Sequence, residues 1–289
     1  MKKIDIHCHT TNRPLPHATN PDASIAAISA LMQRHQIVHT VLLATYFPAK
    51  GTGISNFRLH RWLQGQPHFS MFGSLDFEHY FYQGLNELQE LAQLGAIQGI
   101  KLYTAYQPID FEGEKFCRVV ELAQTQRLPL MFHGGISYDV WKRLSLADIL
   151  TLSESDASRV EAVKTPRDFA GLAQKYPDVT FIVSHLCKPF FQPMIQALKQ
   201  FDNLFTDTSG LLDSQDDQDF RPHCIEIVKR FVGEAGPEKV LFGSDFPVQS
   251  HQDTVDFVEG ALAQYPTADK ELVYAGNARR LIFPGYPHI

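Results

Sequence analysis

The sequence predicts an α/β protein folded as a single-domain (β/α)8 TIM barrel. Three observations predict it. Eight short apolar runs are spread along the chain, segments of helical period separate them, and 289 residues is a length one barrel fills. An open doubly wound sheet is the competing arrangement, and the count of eight favours closure.

The predicted strands are 3–8, 38–44, 69–75, 97–103, 128–132, 179–184, 203–206 and 239–243. They are brief, several are rich in Val, Ile or Phe, and few alternate strictly between polar and apolar. Strands covered on both faces have this character. A helix over 22–35 has Asp22 and Ser24 as candidate caps and a stripe of Ile25, Ile28 and Leu31–Met32. Leu85, Leu88, Leu91 and Ala92 give a helix over 84–94 that Gly95 is placed to end. Further helices are expected over 113–126, 166–176 (where Pro166 suits a first turn), 191–200, 222–235, 252–264 and 269–283. The irregular segments 45–56, 134–165 and 207–221 all follow strands. In a barrel, such loops stand over the C-terminal mouth, where active sites are built. The longest holds Tyr138, Trp141 and the acidic run at 153–158.

Composition bounds the function. Acidic residues outnumber basic ones 32 to 26, for a net charge of −6, and no Lys/Arg-rich block occurs, which argues against a nucleic-acid or membrane surface. The N-terminus lacks the apolar region of a signal peptide. Cys8, Cys117, Cys187 and Cys224 are scattered without a CxxC pair and read as reduced thiols of a cytoplasmic protein. The expected partner is a small-molecule substrate, and the oligomeric state is not legible.

The first strand ends in "IDIHCH". Side chains two apart in a strand share a face, so His7 and His9 are expected to project together with Asp5, opposite Ile4, Ile6 and Cys8. Paired imidazoles suit a divalent transition metal, although a lone pair of this kind is more often two polar residues at a strand end. The later strands decide the matter. Lys101 lies in the fourth, His133 follows the fifth, His185 the sixth, and Asp245 the eighth. A barrel gathers these ends around one axis, and four histidines with a carboxylate make a good transition-metal site. Asp207, which ends the seventh strand, reads equally as a site contact or a helix cap and is not counted. Gly134 and Gly135 are expected to permit close backbone approach.

From "IDIHCH" through "GIKLY", "FHGG", "VSHL" and "FGSDFP" to "GNARRLI", the sequence resembles the amidohydrolase superfamily, and within it the amidohydrolase-2 branch. The resemblance implies that His7, His9 and Asp245 hold the deeper metal, with His133 a ligand in either variant of the family. In two-metal members, a lysine like Lys101 is carboxylated and bridges, and a histidine like His185 joins the second ion. In one-metal members, that histidine stays free to polarise the substrate. The cofactor implied is one or two divalent ions, zinc first among them. The branch's decarboxylases generally lack a lysine where Lys101 stands, which tilts the reading toward hydrolysis.

The chemistry needs a metal. Lowering the pKa of water from 15.7 to about 7 is worth roughly 12 kcal/mol, more than a general base supplies. Asp245 then accepts the proton, and His185 steadies the developing oxyanion. Arg13, Tyr103 and Trp141 are candidate substrate-binding residues, Arg13 through its planar fork. The expected activity is hydrolysis of a lactone, cyclic amide or related ester. Non-oxidative decarboxylation of an aromatic or enoic acid is the alternative. A barrel that binds without turnover is a third reading, against which the complete ligand set argues.

Overall fold

All eight predicted strands form, and they close. The computed structural model describes residues 1–15, 20–45, 53–145, 147, 163–212 and 220–285; the acidic run at 153–158 lies outside them. The strands are β1 (Lys3–Cys8), β2 (Ile37–Leu43), β3 (Phe69–Phe72), β4 (Ile100–Leu102), β5 (Leu130–Phe132), β6 (Phe181–Val183), β7 (Leu204–Asp207) and β8 (Val240–Leu241). Parallel pairing runs β1-β2-β3 and β4-β5-β6-β7-β8. Parallel bridges Gly73–Ile100 and Cys8–Phe246 join the two sheets, so the protein is a (β/α)8 barrel.

Register sets the interior. Ile4 and Ile6 of β1, Val41 and Leu43 of β2, Phe72, Met131, Ile182, Phe205 and Leu241 meet in one cluster, which strands around a full circle can only do inside the barrel. Lys101 pairs with Met131, which pairs with Ile182, which pairs with Phe205. The inner layer therefore carries an ammonium where β4 would otherwise present an apolar side chain. A larger cluster, including Leu42, Ile100, Leu102, Phe116 and Phe169, lies between the sheet and the helices.

The helices follow the expected order. Ile25–His35 starts at Ser24, whose Oγ accepts from Ala27 N at 3.2 Å, while Asp22 accepts from Ser24 N at 2.9 Å. Pro166–Lys175 has Pro166 in its first turn, and Asp168 reaches back to the N–H of Thr165 at 2.7 Å. The segment predicted as one helix over 269–283 is Thr267–Glu271 and Asn277–Ile282 joined by the π-turn Leu272–Gly276. Asn277 ties it to the barrel by donating to Pro237 O and Val240 O, each at 2.8 Å. A helix not expected, Asn56–Trp62, joins β2 to β3. Only Asn56 and Leu59 of it are buried, so it has no apolar stripe to read. Strands β4, β5, β6 and β8 are shorter than predicted, and beyond β6 and β8 the chain turns out of the ladder at the site residues, with His185 and Asp245 both at φ 62°. No described helix is long and apolar enough to cross a membrane.

His39 on β2 gives the fold a test. It is 2% exposed, shares a hydrogen bond with Ser70 Oγ at 2.7 Å, and meets the ring of Phe283. Burial, aided by His68, pushes it down to about 4 from an ordinary 6.5. Above pH 6.5 both folded and unfolded states hold it neutral. As the pH falls from 6.5 to 4, the unfolded chain takes up the proton first, and stability drops by about 3 kcal/mol. Urea unfolding of the protein and of His39→Gln across this window checks it: the variant lacks that part of the slope.

Candidate metal centre

Asp5 and Asp207 set the geometry. A register shift between Asp5 and Cys8 breaks the strict alternation expected of β1. Ile4 and Ile6 enter the inner cluster and Cys8 the outer one. Asp5 accepts from His7 N (3.1 Å), Ser244 N (3.0 Å) and Ser244 Oγ (2.6 Å), fastening β1 to the chain that follows β8. His251 Nε2 lies 3.2 Å from the same carboxylate. Asp5, Cys8 and His251 form a second buried group of ligand type, but Asp5 is already committed to these donors.

Across the barrel, Asp207 Oδ1 accepts from the backbone N–H of His185 and of Ser209, each at 3.0 Å, and from the Ser209 hydroxyl. Its Oδ2 lies 3.0 Å from His7 Nδ1. Burial opposes its charge, yet the hydrogen-bonded His7 ring, His185 and Lys101 hold the carboxyl below the usual range. A carboxylate only accepts, so His7 carries a proton on Nδ1, and in the neutral ring the lone pair is on Nε2. His185 Nδ1 lies 3.1 Å from Ser209 O, a carbonyl, so it too donates there and leaves Nε2 bare. His133 Nε2 donates to Ile136 O at 3.1 Å and leaves Nδ1 bare.

Three imidazole tautomers are thereby fixed by accepting partners, and the Ser209 hydroxyl, 2.9 Å from both His7 Nδ1 and His185 Nδ1, accepts too because its own proton goes to Asp207. The consequence is electrostatic. The bare nitrogens of His185 and His133 stand 3.2 Å apart, and bare Nε2 of His7 stands 3.4 Å from Asp245 Oδ1. His9 Nε2 lies 3.3 Å from the same oxygen. Protonation does not relieve the His185–His133 contact. Burial pushes His9, His133 and His185 down, His185 to about 3. Burial would raise Asp245, but the His9 hydrogen bond and the neighbouring imidazoles hold it well below the usual carboxylate range. Lone pairs face lone pairs around one point, and the donor atoms of His7, His185 and Asp245 lie within 4.8 Å of one another. Neutral imidazoles and an ionised carboxylate in this array fit a divalent cation.

Lys101 is fully buried and donates from Nζ to Ser184 Oγ at 2.8 Å. Burial lowers it to about 8, against the pull of Asp207 and Asp245. Gly134 and Gly135 serve as expected. A Cβ on Gly135, at φ +75°, would stand 1.8 Å from Lys188 O, so only glycine lets the turn after β6 press against the chain carrying His133.

His7, His9, Lys101, Tyr103, His133, His185 and Asp245 line one cavity of about 280 Å³. Tyr103 forms its wall; its hydroxyl donates to Ala44 O at 2.8 Å, and burial raises its pKa. Two candidate substrate residues stand elsewhere. Arg13 is exposed and not among the described residues of the wall. Trp141 is buried behind the wall, against Phe220. Sequence reasoning left out Asp207 and missed Ser209, Ser184 and Lys188. For Asp207 the signal was present, a carboxylate at a strand's C-terminal end like the others.

The amidohydrolase family model (amidohydrolase-2) matches residues 4–283. The chain belongs to the amidohydrolase family. No curated protein matches this amidohydrolase. Solved structures share its fold. One is a probable 2-pyrone-4,6-dicarboxylic acid hydrolase from Acinetobacter baumannii with citric acid bound, at TM-score 0.66 and 13% identity, covering 98% of this chain and 99% of the other. A dihydroxybenzoic acid decarboxylase from Polaromonas with bound manganese and 2-nitroresorcinol has TM-score 0.64 and 18% identity, covering 97% and 96%. An amidohydrolase from Burkholderia multivorans with bound zinc has TM-score 0.66 and 14% identity, covering 98% and 99%. At such identities the likeness is one of fold.

Proposed function

We propose that this amidohydrolase is a divalent-metal hydrolase that adds water to a small carbonyl substrate, a lactone, cyclic amide or related ester. The observation that supports this most is the set of fixed tautomers, which turns unprotonated nitrogens of His7, His133 and His185 toward one another and toward ionised Asp245. In this reading His7, His9 and Asp245 would hold one ion, carboxylated Lys101 would join it to a second held with His185, and His133 would complete the ligand set. A divalent ion bound there lowers the pKa of water from 15.7 to about 7. Asp245 takes the proton from the attacking water and passes it to the leaving group. His185, fixed through Ser209, keeps its orientation toward the reacting carbonyl, and Tyr103 and its neighbours exclude bulk water. Zinc is proposed first, since nitrogen and carboxylate donors suit it and the Burkholderia structure binds it. The four free cysteines support a cytoplasmic setting.

A second reading has its own observation. Lys101 is bonded to Ser184, not to a histidine or Asp245, an arrangement suited to a one-ion centre. The manganese-bound Polaromonas decarboxylase is a fold relative, so a non-oxidative decarboxylase acting on a small aromatic or enoic acid is the alternative. Turnover in ¹⁸O-labelled water separates the two. With a panel of small lactones, cyclic amides and esters, the hydrolase reading expects one labelled oxygen incorporated per turnover, in the new carboxylate, and no CO2. CO2 release with unlabelled product, from aromatic or enoic acids, overturns it in favour of the lyase.

A further inference from the structure

We propose that His251 is a positioning residue of the metal centre: its ring clamps Asp5 and Phe246, and through them sets His7 and His9 against Asp245. This rests on the reading of those three residues as ligands of one ion. His251 opens the helix His251–Leu262 and is 1% exposed. Its Nε2 lies 3.2 Å from Asp5 Oδ2. Its ring stacks on Phe246, with centroids 4.8 Å apart, and on His35 at 6.1 Å. Asp5 stands two residues before His7, and Phe246 directly follows Asp245. One side chain therefore touches both stretches of chain that supply the ligands.

Those stretches are also tied to each other. His9 N donates to Phe246 O and Asp245 N to His7 O, each at 2.7 Å. Asp5 accepts from His7 N, Ser244 N and Ser244 Oγ, and Ser244 Oγ in turn accepts from Phe246 N at 3.1 Å. A shift of the Asp5 carboxylate is thus passed to the backbone of His7 and to the turn carrying Asp245. Asp5 is fully buried, and these three donors are neutral. A polarised N–H beside it favours the ionised carboxylate and holds it in place. His251 provides that N–H at a cost. Among the described residues no other side chain leaves two buried polar atoms without a hydrogen bond, the contact with Asp5 being out of hydrogen-bond line. A phenylalanine would stack on Phe246 and His35 without burying two unpaired nitrogens. What the imidazole adds is the nitrogen facing Asp5, and that nitrogen carries the positioning role.

Cobalt(II) alone is the probe, titrated into metal-free protein and followed by its visible absorption and by competition with a chromophoric chelator. Glutamine and methionine both lack the ring and have similar length, and only glutamine carries a donor near the place of Nε2. His251→Met is expected to weaken cobalt binding about tenfold and to change the shape of the visible bands, while His251→Gln stays within about threefold of the parent. His251→Phe, which keeps the stack, behaves as His251→Met does. Thermal unfolding of the metal-free forms is read alongside. Both variants without the ring lose stability, so stability and affinity follow different orders. Parent-like affinity in His251→Met and His251→Phe overturns the proposal. So does equal weakening in His251→Met and His251→Gln with His251→Phe unchanged, since packing alone then accounts for His251. A sulfur-to-cobalt charge-transfer band that Cys8→Ala removes overturns it too, because the ion then sits among Asp5, Cys8 and His251. No cobalt binding by the parent is a separate failure: the metal reading falls and takes the clamp with it.

Discussion

Asp245→Asn is expected to lower kcat by about 10²–10⁴-fold, the range general-base removal produces, with the fold retained. Asp245 sits at φ 62°, where asparagine is also tolerated, and its backbone N–H bonds His7 O at 2.7 Å in either variant. The substitution thus removes charge and basicity with little strain. The amide is no base, and it loses the negative charge facing His7 and His9 at 3.4 and 3.3 Å. Steady-state kinetics with thermal unfolding checks this: a kcat within a few-fold of the parent at unchanged stability removes Asp245 from the chemistry.

Asp207→Asn is expected to weaken divalent-metal binding by about 10–100-fold although Asp207 touches no ion. The carboxylate accepts from His7 Nδ1, from two backbone N–H groups and from the Ser209 hydroxyl. An asparagine replaces one acceptor oxygen by a donor. Set toward His7 Nδ1, that donor reverses the tautomer and puts the proton on Nε2, where the lone pair is needed. Set the other way, it faces two backbone donors in a dry interior and leaves them unpaired. Ser209→Ala should produce a smaller loss, since the Ser209 carbonyl still accepts from His185 Nδ1 at 3.1 Å. Competition against a chromophoric chelator measures both. Unchanged affinity in Asp207→Asn would show that the fixed tautomers do not govern metal binding.

These predictions turn on residues that differ in how visible they were. His7, His9, Lys101, His133, His185 and Asp245 could be found because each sits at or just beyond the end of an apolar run, and barrel closure converts that sequence coincidence into proximity. Asp207 was ambiguous for a physical reason: a carboxylate at a strand end caps a helix as readily as it orients an imidazole. The face of Asp5 was misassigned because the register shift in β1 comes from pairing with its neighbours, not from its own residue types. Lys188 was hidden altogether. Three non-glycine residues in left-handed geometry bring it to the cavity, and nothing in "HLCK" announces such a turn. Proximity in sequence misled in the other direction for Arg13, which follows the HxH motif closely yet stands exposed. Trp141 lies behind the wall, with the Lys188 ammonium over its ring.

The most direct test of the metal centre is elemental analysis of metal per chain, on protein purified without chelator and on Lys101→Met, which keeps the volume of the buried side chain and cannot be carboxylated. Two divalent ions per chain, falling to one or none in the variant, are the result predicted for a centre bridged by Lys101. One ion in both forms would leave Lys101 bonded to Ser184 and move the assignment to the decarboxylase. No metal in either form would contradict the centre itself, and the facing lone pairs of His7, His133 and His185 would then need another explanation.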